Sequence, residues 1–254
     1  MIPIGDDNTG RVRTPYFTWL LIAANVGVFV FLQGLGTNER FTYAFSTVPA
    51  EIVTGRDVAE RVLVRDPVSG DAVGEFQLEP TPIPVYLTLL TSMFMHGGLA
   101  HLFGNMLYLW IFGDNIEDEL GHGRYLIFYL ATGVLAGLAH VATSSIFQGN
   151  PYIPALGASG AISGVLGGYM VLHPRRKVRM LIFRMVQEVP AIWAIGLWFA
   201  FQLISGLGML GSGSQAGGVA YGAHIGGFIA GVVLIKLFAR GTRAEVLHPD
   251  RVRR

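Results

Sequence analysis

Residues 125–174 read YLIFYLATGVLAGLAHVATSSIFQGNPYIPALGASGAISGVLGGYMVLHP, with no Asp, Glu, Lys or Arg. A membrane-spanning helix needs about 20 apolar residues, so this run is more than twice too long for one. The polar, Pro- and Gly-bearing segment from Gln148 to Pro154 divides it and predicts helices near 125–147 and 158–173. Two apolar helices joined by a short polar turn make a pair of spans, and lipid becomes the expected solvent.

The same reading extends outward. Residues 17–36 supply a first charge-free span. The uncharged run 80–113 exceeds one helix, and Gly97-Gly98 divides it, placing a second span at about 98–118 with 83–95 lying on the protein or in the interface. The run 189–235 is broken by Gly211-Ser-Gly-Ser-Gln-Ala-Gly-Gly218, giving spans near 187–210 and 219–239. The expected fold is an all-α membrane protein: a polar segment 1–16, a six-helix bundle over 17–239 with a long outer loop 37–97 between the first two helices, and a basic tail 240–254.

Composition agrees. Of 254 residues, 52% are hydrophobic and 14% charged, against about 25% charged in an average soluble domain. The net charge of +1 provides no basic field for nucleic acid. The absence of cysteine excludes thiol catalysis, disulfides and thiolate metal sites. The 34 glycines follow no collagen period and suit close helix packing in a membrane. The first span is too long for a signal-peptide core and lacks a clear cleavage site, and Asp6 and Asp7 argue against a transit peptide.

Lys and Arg in short loops set orientation. Arg11 and Arg13 precede span one; Arg175, Arg176, Lys177, Arg179 and Arg184 follow span four; Lys236, Arg240, Arg243, Arg251, Arg253 and Arg254 follow or end span six. Six spans put all three groups on one side, so both termini are expected in the cytoplasm. The links 148–157 and 211–218 carry neither residue type and fall outside. The outer loop, the one part expected to resemble soluble structure, predicts a hairpin over Val62–Phe76 turning at Ser69-Gly70-Asp71.

Polar groups within spans carry the functional signal. His101 and Asn105 share one face of span two. Ser159 opens span four, and His224 lies in span six. Spans two, four and six run in the same direction, so all three groups fall within roughly 8 Å of the outer helix ends at 1.5 Å rise per residue. Gly160 and Gly164 form a small-residue ladder, as do Ala223, Gly227 and Gly231, and such ladders let two backbones approach closely. A short serine side chain can reach a histidine across such a crossing.

A hydroxyl needs a base, and histidine is the common one. The oxyanion needs donors; the Ser159 backbone N–H at a helix N-terminus, His101 and Asn105 could supply them. No Asp or Glu lies at this depth to orient His224, so the reading is a dyad lacking a third member. Plainer readings stand beside these. Small-residue ladders more often serve packing than catalysis, Asn105 alone reads as helix glue, and Ser163 as bonding back to its own helix. His140 reads as structural, and His122, His173 and His248 as solvated. The Arg175–Arg184 cluster is a topology signal or at most an anionic-lipid contact. Metal binding finds no His-Glu-x-x-His and no carboxylate at the right depth, and His96 and His101 are five apart, on different faces of a helix. No cofactor is expected.

Taken together, Gly157-Ala-Ser-Gly160, His96-x4-His101-x3-Asn105 and Ala223-His-x-Gly-Gly-x3-Gly231 resemble the rhomboid family of intramembrane serine proteases over about residues 93–235. The resemblance implies a Ser159–His224 dyad and an oxyanion site from the Ser159 N–H, His101 and Asn105. It also implies a structural or hydrogen-bonding role for His96, and a cytoplasmic-side network around Glu117 in Gly-Asp-Asn-Ile-Glu117. Two departures stand out. Leu87 and Thr88 sit where some members carry Trp-Arg in the first outer loop. Ser163 sits where some carry a Tyr stacked on the histidine, so His224 must be oriented in another way. The expected substrates are single-span membrane proteins cut near the outer interface, and the expected location is a bacterial inner membrane. Trp193, Trp198, Phe199 and Phe201 make span five either a lateral gate or a lipid-facing helix. A silent binder of membrane helices, a small-solute transporter and an acyl transferase or lipase are the alternative functions.

Overall fold

The computed structural model describes residues 2–65, 72–146, 150–212, 220–242 and 246–247. Helix α1 runs Tyr16–Gly27 and continues as a π-helical turn, Val28–Leu32. The segment between α1 and the next long helix holds α2 (Glu39–Ala44), α3 (Pro49–Thr54), a hairpin and α4 (Thr88–Thr91). Then come α5 (Leu99–Leu120), α6 (His122–Ile146), α7 (Ser159–Leu172), α8 (Ala191–Ser212) and α9 (Tyr221–Phe238). Two of these, α6 and α9, are long and apolar enough to cross a membrane by length and composition; Tyr16–Leu32, Ser159–Leu172 and Ala191–Leu207 are shorter apolar helices. Helix α5 ends on Asp114, Glu117, Asp118 and Glu119, so its apolar part stops short of its last two turns.

Helix α7 is the core. From Gly160 to Tyr169 every residue is buried, and α5, α6, α8 and α9 all pack on it. Glycine makes this possible. A Cβ on Gly227 would overlap the Gly160 carbonyl oxygen, one on Gly231 the Gly164 carbonyl oxygen, and one on Gly167 the Phe228 carbonyl oxygen. Helices α7 and α9 therefore meet backbone to backbone, at a separation no larger side chain permits.

The all-α expectation needs correction. Strands β1 (Ile2–Asp6), β4 (Lys177–Ile182) and β5 (Met185–Pro190) form an antiparallel sheet in the order β1-β4-β5. It joins the N-terminal segment to the link between α7 and α8. Helix α8 accordingly begins at Ala191, four residues later than expected. The basic residues read as a topology signal also conceal a period-2 pattern: Val178 and Met180 are buried while Lys177 and Arg179 alternate with them toward solvent. Soluble-like structure is thus not confined to the segment 37–97. Nor is the Arg cluster purely a topology signal, because Arg176 reaches the Asn115 side chain.

Around this sheet lies a buried polar network. Asp6 accepts hydrogen bonds from Asn115 Nδ2 and the Tyr169 hydroxyl, each at 2.7 Å. Arg11 pairs with Asp114, and the Arg13 N–H donates to Asp118. Glu117, with no exposed surface, accepts from the backbone N–H groups of Phe17 and Thr18 and from the Thr18 hydroxyl at 2.7–2.9 Å. Pro15 gives α1 no side-chain cap, so a carboxylate from α5 satisfies the orphan donors of its first turn.

Asp6 gives this network a pH dependence. Burial raises its carboxyl from 3.8 to about 6, against the lowering effects of Tyr169 and Arg176, while Asp7 raises it slightly and Arg11 lowers it. A folded value above the unfolded one means that folding takes up a proton, so this contribution is complete below 3.8 and is lost as the pH passes about 6. Hydrogen exchange of residues 2–6, corrected for its intrinsic pH dependence, should show β1 opening more readily at pH 8 than at pH 5. Asp6→Asn should flatten that slope; an unchanged slope would remove Asp6 as its source.

In the segment between α1 and α5, β2 (Arg61–Arg65) pairs with β3 (Ala72–Gln77) in the expected hairpin, whose turn at Ser69-Gly70-Asp71 lies outside the described residues, as do Gln148, 213–218, Arg243, His248, Arg251, Arg253 and Arg254. Asn38 caps α2 through its side-chain oxygen, and Pro49 starts α3, which ends on left-handed Gly55. Both helices are too short for their apolar periodicity to show in sequence. The loop braces the segment before α7: Thr47 pairs with Ala155, and the Ser92 carbonyl accepts from the Gly157 N–H at 2.8 Å.

Candidate active site

The approach to α7 fixes the serine. Ala155 is held by Thr47, and Gly157 takes φ +122 before the helix begins at Ser159. That φ lies where a side chain is strained. Glycine is required for space as well: a Cβ there would stand 2.9 Å from His101 Nε2 and 3.6 Å from Ser159 Oγ. Those two atoms therefore face one small space walled by Gly157.

Helix α9 brings His224 to the same place. Its Nε2 lies 2.8 Å from Ser159 Oγ, and its Nδ1 lies 2.7 Å from the side-chain oxygen of Gln202 on α8. The first distance suits proton transfer from hydroxyl to imidazole. Ser163 donates to the Ser159 carbonyl at 2.6 Å, within its own helix. The Trp198 and Tyr221 rings flank His224 at centroid distances of 6.1 and 6.4 Å.

His101 lies in the first turn of α5. Its Nδ1 accepts the Gly97 N–H at 3.3 Å, so in the neutral ring the proton sits on Nε2, the atom beside Gly157. Asn105 donates one amide hydrogen to the His101 carbonyl at 2.9 Å, which leaves its second N–H free of that bond. The structure thus brings Ser159, His224, Gly157 and His101 together, with Asn105 one turn below His101.

Some placements match expectation and others differ. His96 precedes α5, where the expected span 98–118 leaves it, and its ring meets His101 edge to face at 5.2 Å. The backbone N–H and carbonyl of His96 bond to the Gln33 side chain, both at 2.9 Å, an anchor that sequence reading missed. His122 contacts Glu117 at 2.6 Å. His173 is buried, 3.5 Å from Glu119. Neither is simply solvated, because the acidic end of α5 draws both inward.

The main omission is Gln202. It is buried at 6% exposure and occupies the place left open when no carboxylate was found to orient His224. A signal existed: Gln202 interrupts the apolar run of α8 one turn after Trp198, on the same helix face.

Residues 84–241 match the family model of the Rhomboid domain. The chain is 31% identical over 224 residues to the Rhomboid protease GluP of Bacillus subtilis, covering 87% of this chain and 35% of that protein. It is 31% identical over 147 residues to the mitochondrial Rhomboid protein 1 of Saccharomyces cerevisiae, covering 58% and 40%. It is 27% identical over 146 residues to the Rhomboid protease GlpG of Salmonella paratyphi A, covering 57% and 45%. The chain therefore spans less than half the length of each of these three relatives.

Proposed function

The chain belongs to the rhomboid family, and from that premise we propose that it is an intramembrane serine endopeptidase with Ser159 as nucleophile and His224 as general base and acid. One observation carries the reading: the 2.8 Å contact between Ser159 Oγ and His224 Nε2, made across two helices far apart in sequence. In the proposed reaction His224 removes the hydroxyl proton as Oγ attacks a peptide carbonyl. The protonated imidazole then gives that proton to the leaving amine, an acyl-enzyme forms, and water activated by His224 hydrolyses the ester.

The oxyanion would meet the Ser159 N–H, His101 Nε2–H and the second N–H of Asn105. Loss of one such donor costs about 10²–10³-fold in rate elsewhere, and Asn105→Ala is expected to lower kcat toward the bottom of that range with KM little changed. A wild-type kcat in this variant would remove Asn105 from the oxyanion site.

In this reading α1, α5, α6, α7, α8 and α9 are six spans with both termini in the cytoplasm, the outer loop lies outside, and water reaches Ser159 from outside. The substrate class is single-span membrane proteins, and the membrane is the bacterial inner one. The similarity to GluP and GlpG supports the chemistry, and the Lys/Arg distribution supports the orientation. The test is reconstitution with a panel of single-span substrates, mapping cuts by mass spectrometry and labelling Ser159 with a fluorophosphonate. Peptide cuts near the outer interface and a labelled Ser159 are expected. Labelling with hydrolysis of lipid esters alone would point to a lipase on the same dyad, and no labelling at all would refute the serine mechanism.

A further inference from the structure

We infer that Gln202 is the positioning residue of His224, supplying from α8 the hydrogen-bond acceptor that a carboxylate supplies in a Ser-His-Asp triad. The inference rests on the serine-hydrolase reading above and adds a third member to it.

The two ring nitrogens of His224 have different neighbours: Nε2 faces Ser159 Oγ at 2.8 Å and Nδ1 faces Gln202 Oε1 at 2.7 Å. To take the serine proton, Nε2 must hold a lone pair, so in the neutral ring the hydrogen sits on Nδ1. A donor at Nδ1 needs an acceptor. The side-chain carbonyl of Gln202 is one, whereas the opposite amide orientation would set two donors against each other. The bond thus selects the tautomer the reaction needs, and with Trp198 one turn earlier it fixes the ring plane.

Burial makes this bond more than incidental. At 6% exposure in an apolar helix, an unpartnered amide would carry a desolvation cost. A neutral acceptor also suits membrane depth, where a carboxylate is expensive to bury. The lost charge weakens support for the imidazolium that forms, but the tautomer is kept. Because the acceptor rides on α8, which also packs on β4, β5 and α9, the base is oriented only while α8 is seated against α9. A displacement of α8 that exposed Ser159 would also release His224.

The test is the rate at which a fluorophosphonate labels Ser159 in the full-length protein in lipid nanodiscs, measured across pH for wild type, Gln202→Leu and Gln202→Glu. General-base assistance is worth about 10²–10⁴-fold. Gln202→Leu is expected to lose about 10–100-fold of the rate with an unchanged unfolding temperature. Gln202→Glu is expected to keep a rate near wild type while the acidic limb of its pH profile moves to higher pH, because a carboxylate holds the proton on imidazole longer. A residue that only packs would not move that limb. A Gln202→Leu variant with wild-type rate and profile would overturn this inference alone. An unlabelled wild type would overturn the enzyme reading and this inference with it.

Discussion

Replacing Ser159 with Ala, or His224 with Ala, is expected to lower peptide-bond cleavage by at least about 10³-fold, and the double variant is expected to be no slower than the worse single one. Groups that act as one unit are strongly non-additive; in a soluble serine protease losing the serine or the histidine alone costs about as much as removing the whole set, on the order of 10⁶-fold. Without Oγ there is no acyl-enzyme, and without the imidazole the hydroxyl keeps its proton. The fold should survive both changes. Ser159 helps hold α7 through its carbonyl, which accepts from Ser163, and that bond is untouched by losing the hydroxyl. Initial rates on a reconstituted single-span substrate, with thermal unfolding run alongside, check this. Activity within tenfold of wild type in either single variant would end the proposed mechanism. A double variant much slower than both singles would mean that serine and histidine act separately.

The contact between Ser159 and His224 was legible in the sequence because an expected lipid environment restricts where polar groups can go. Uncharged runs located the helices to within a few residues: 158–173 was expected and Ser159–Leu172 is found, and 219–239 was expected against Tyr221–Phe238. With the helices placed, depth follows from rise per residue, and a serine and a histidine at equal depth on two glycine-laddered helices become candidate neighbours. Three features stayed hidden for different reasons. The sheet was masked because Lys177, Arg179 and Arg184 dominate a segment whose period-2 burial is only a few residues long. Gln33 and Gln202 carry no charge, so neither breaks an uncharged run; Gln202 shows only as a polar residue interrupting the apolar run of α8, and that interruption does not name the histidine it bonds on another element. These are failures of tertiary context, whereas the dyad is a matter of depth and spacing.

The second large effect concerns the crossing that holds the dyad together. Gly231→Ala is expected to destabilise the protein by about 1–3 kcal/mol or more and to reduce activity by on the order of 10²-fold. A Cβ there would overlap the carbonyl oxygen of Gly164. Overpacking is often relieved by a side chain turning aside, but here both partners are helical backbone, and a helix cannot rotate one carbonyl without breaking its ladder. Helices α7 and α9 must instead move apart. Ser159 and His224 sit on those same two helices, and their 2.8 Å contact cannot absorb such a shift, since misplacement by about 1 Å costs on the order of 10²-fold. The sign of the effect depends on this contact and not on glycine as such. Gly196 on α8 has nothing within 4 Å of a Cβ, so Gly196→Ala should be neutral or stabilise by up to about 1 kcal/mol through helix propensity. Thermal unfolding and cleavage rates of the two alanine variants in the same lipid give the comparison. A Gly231→Ala protein as stable and as active as Gly196→Ala would mean that α7 and α9 are not in backbone contact, and the glycine ladders would lose their role in bringing serine to histidine.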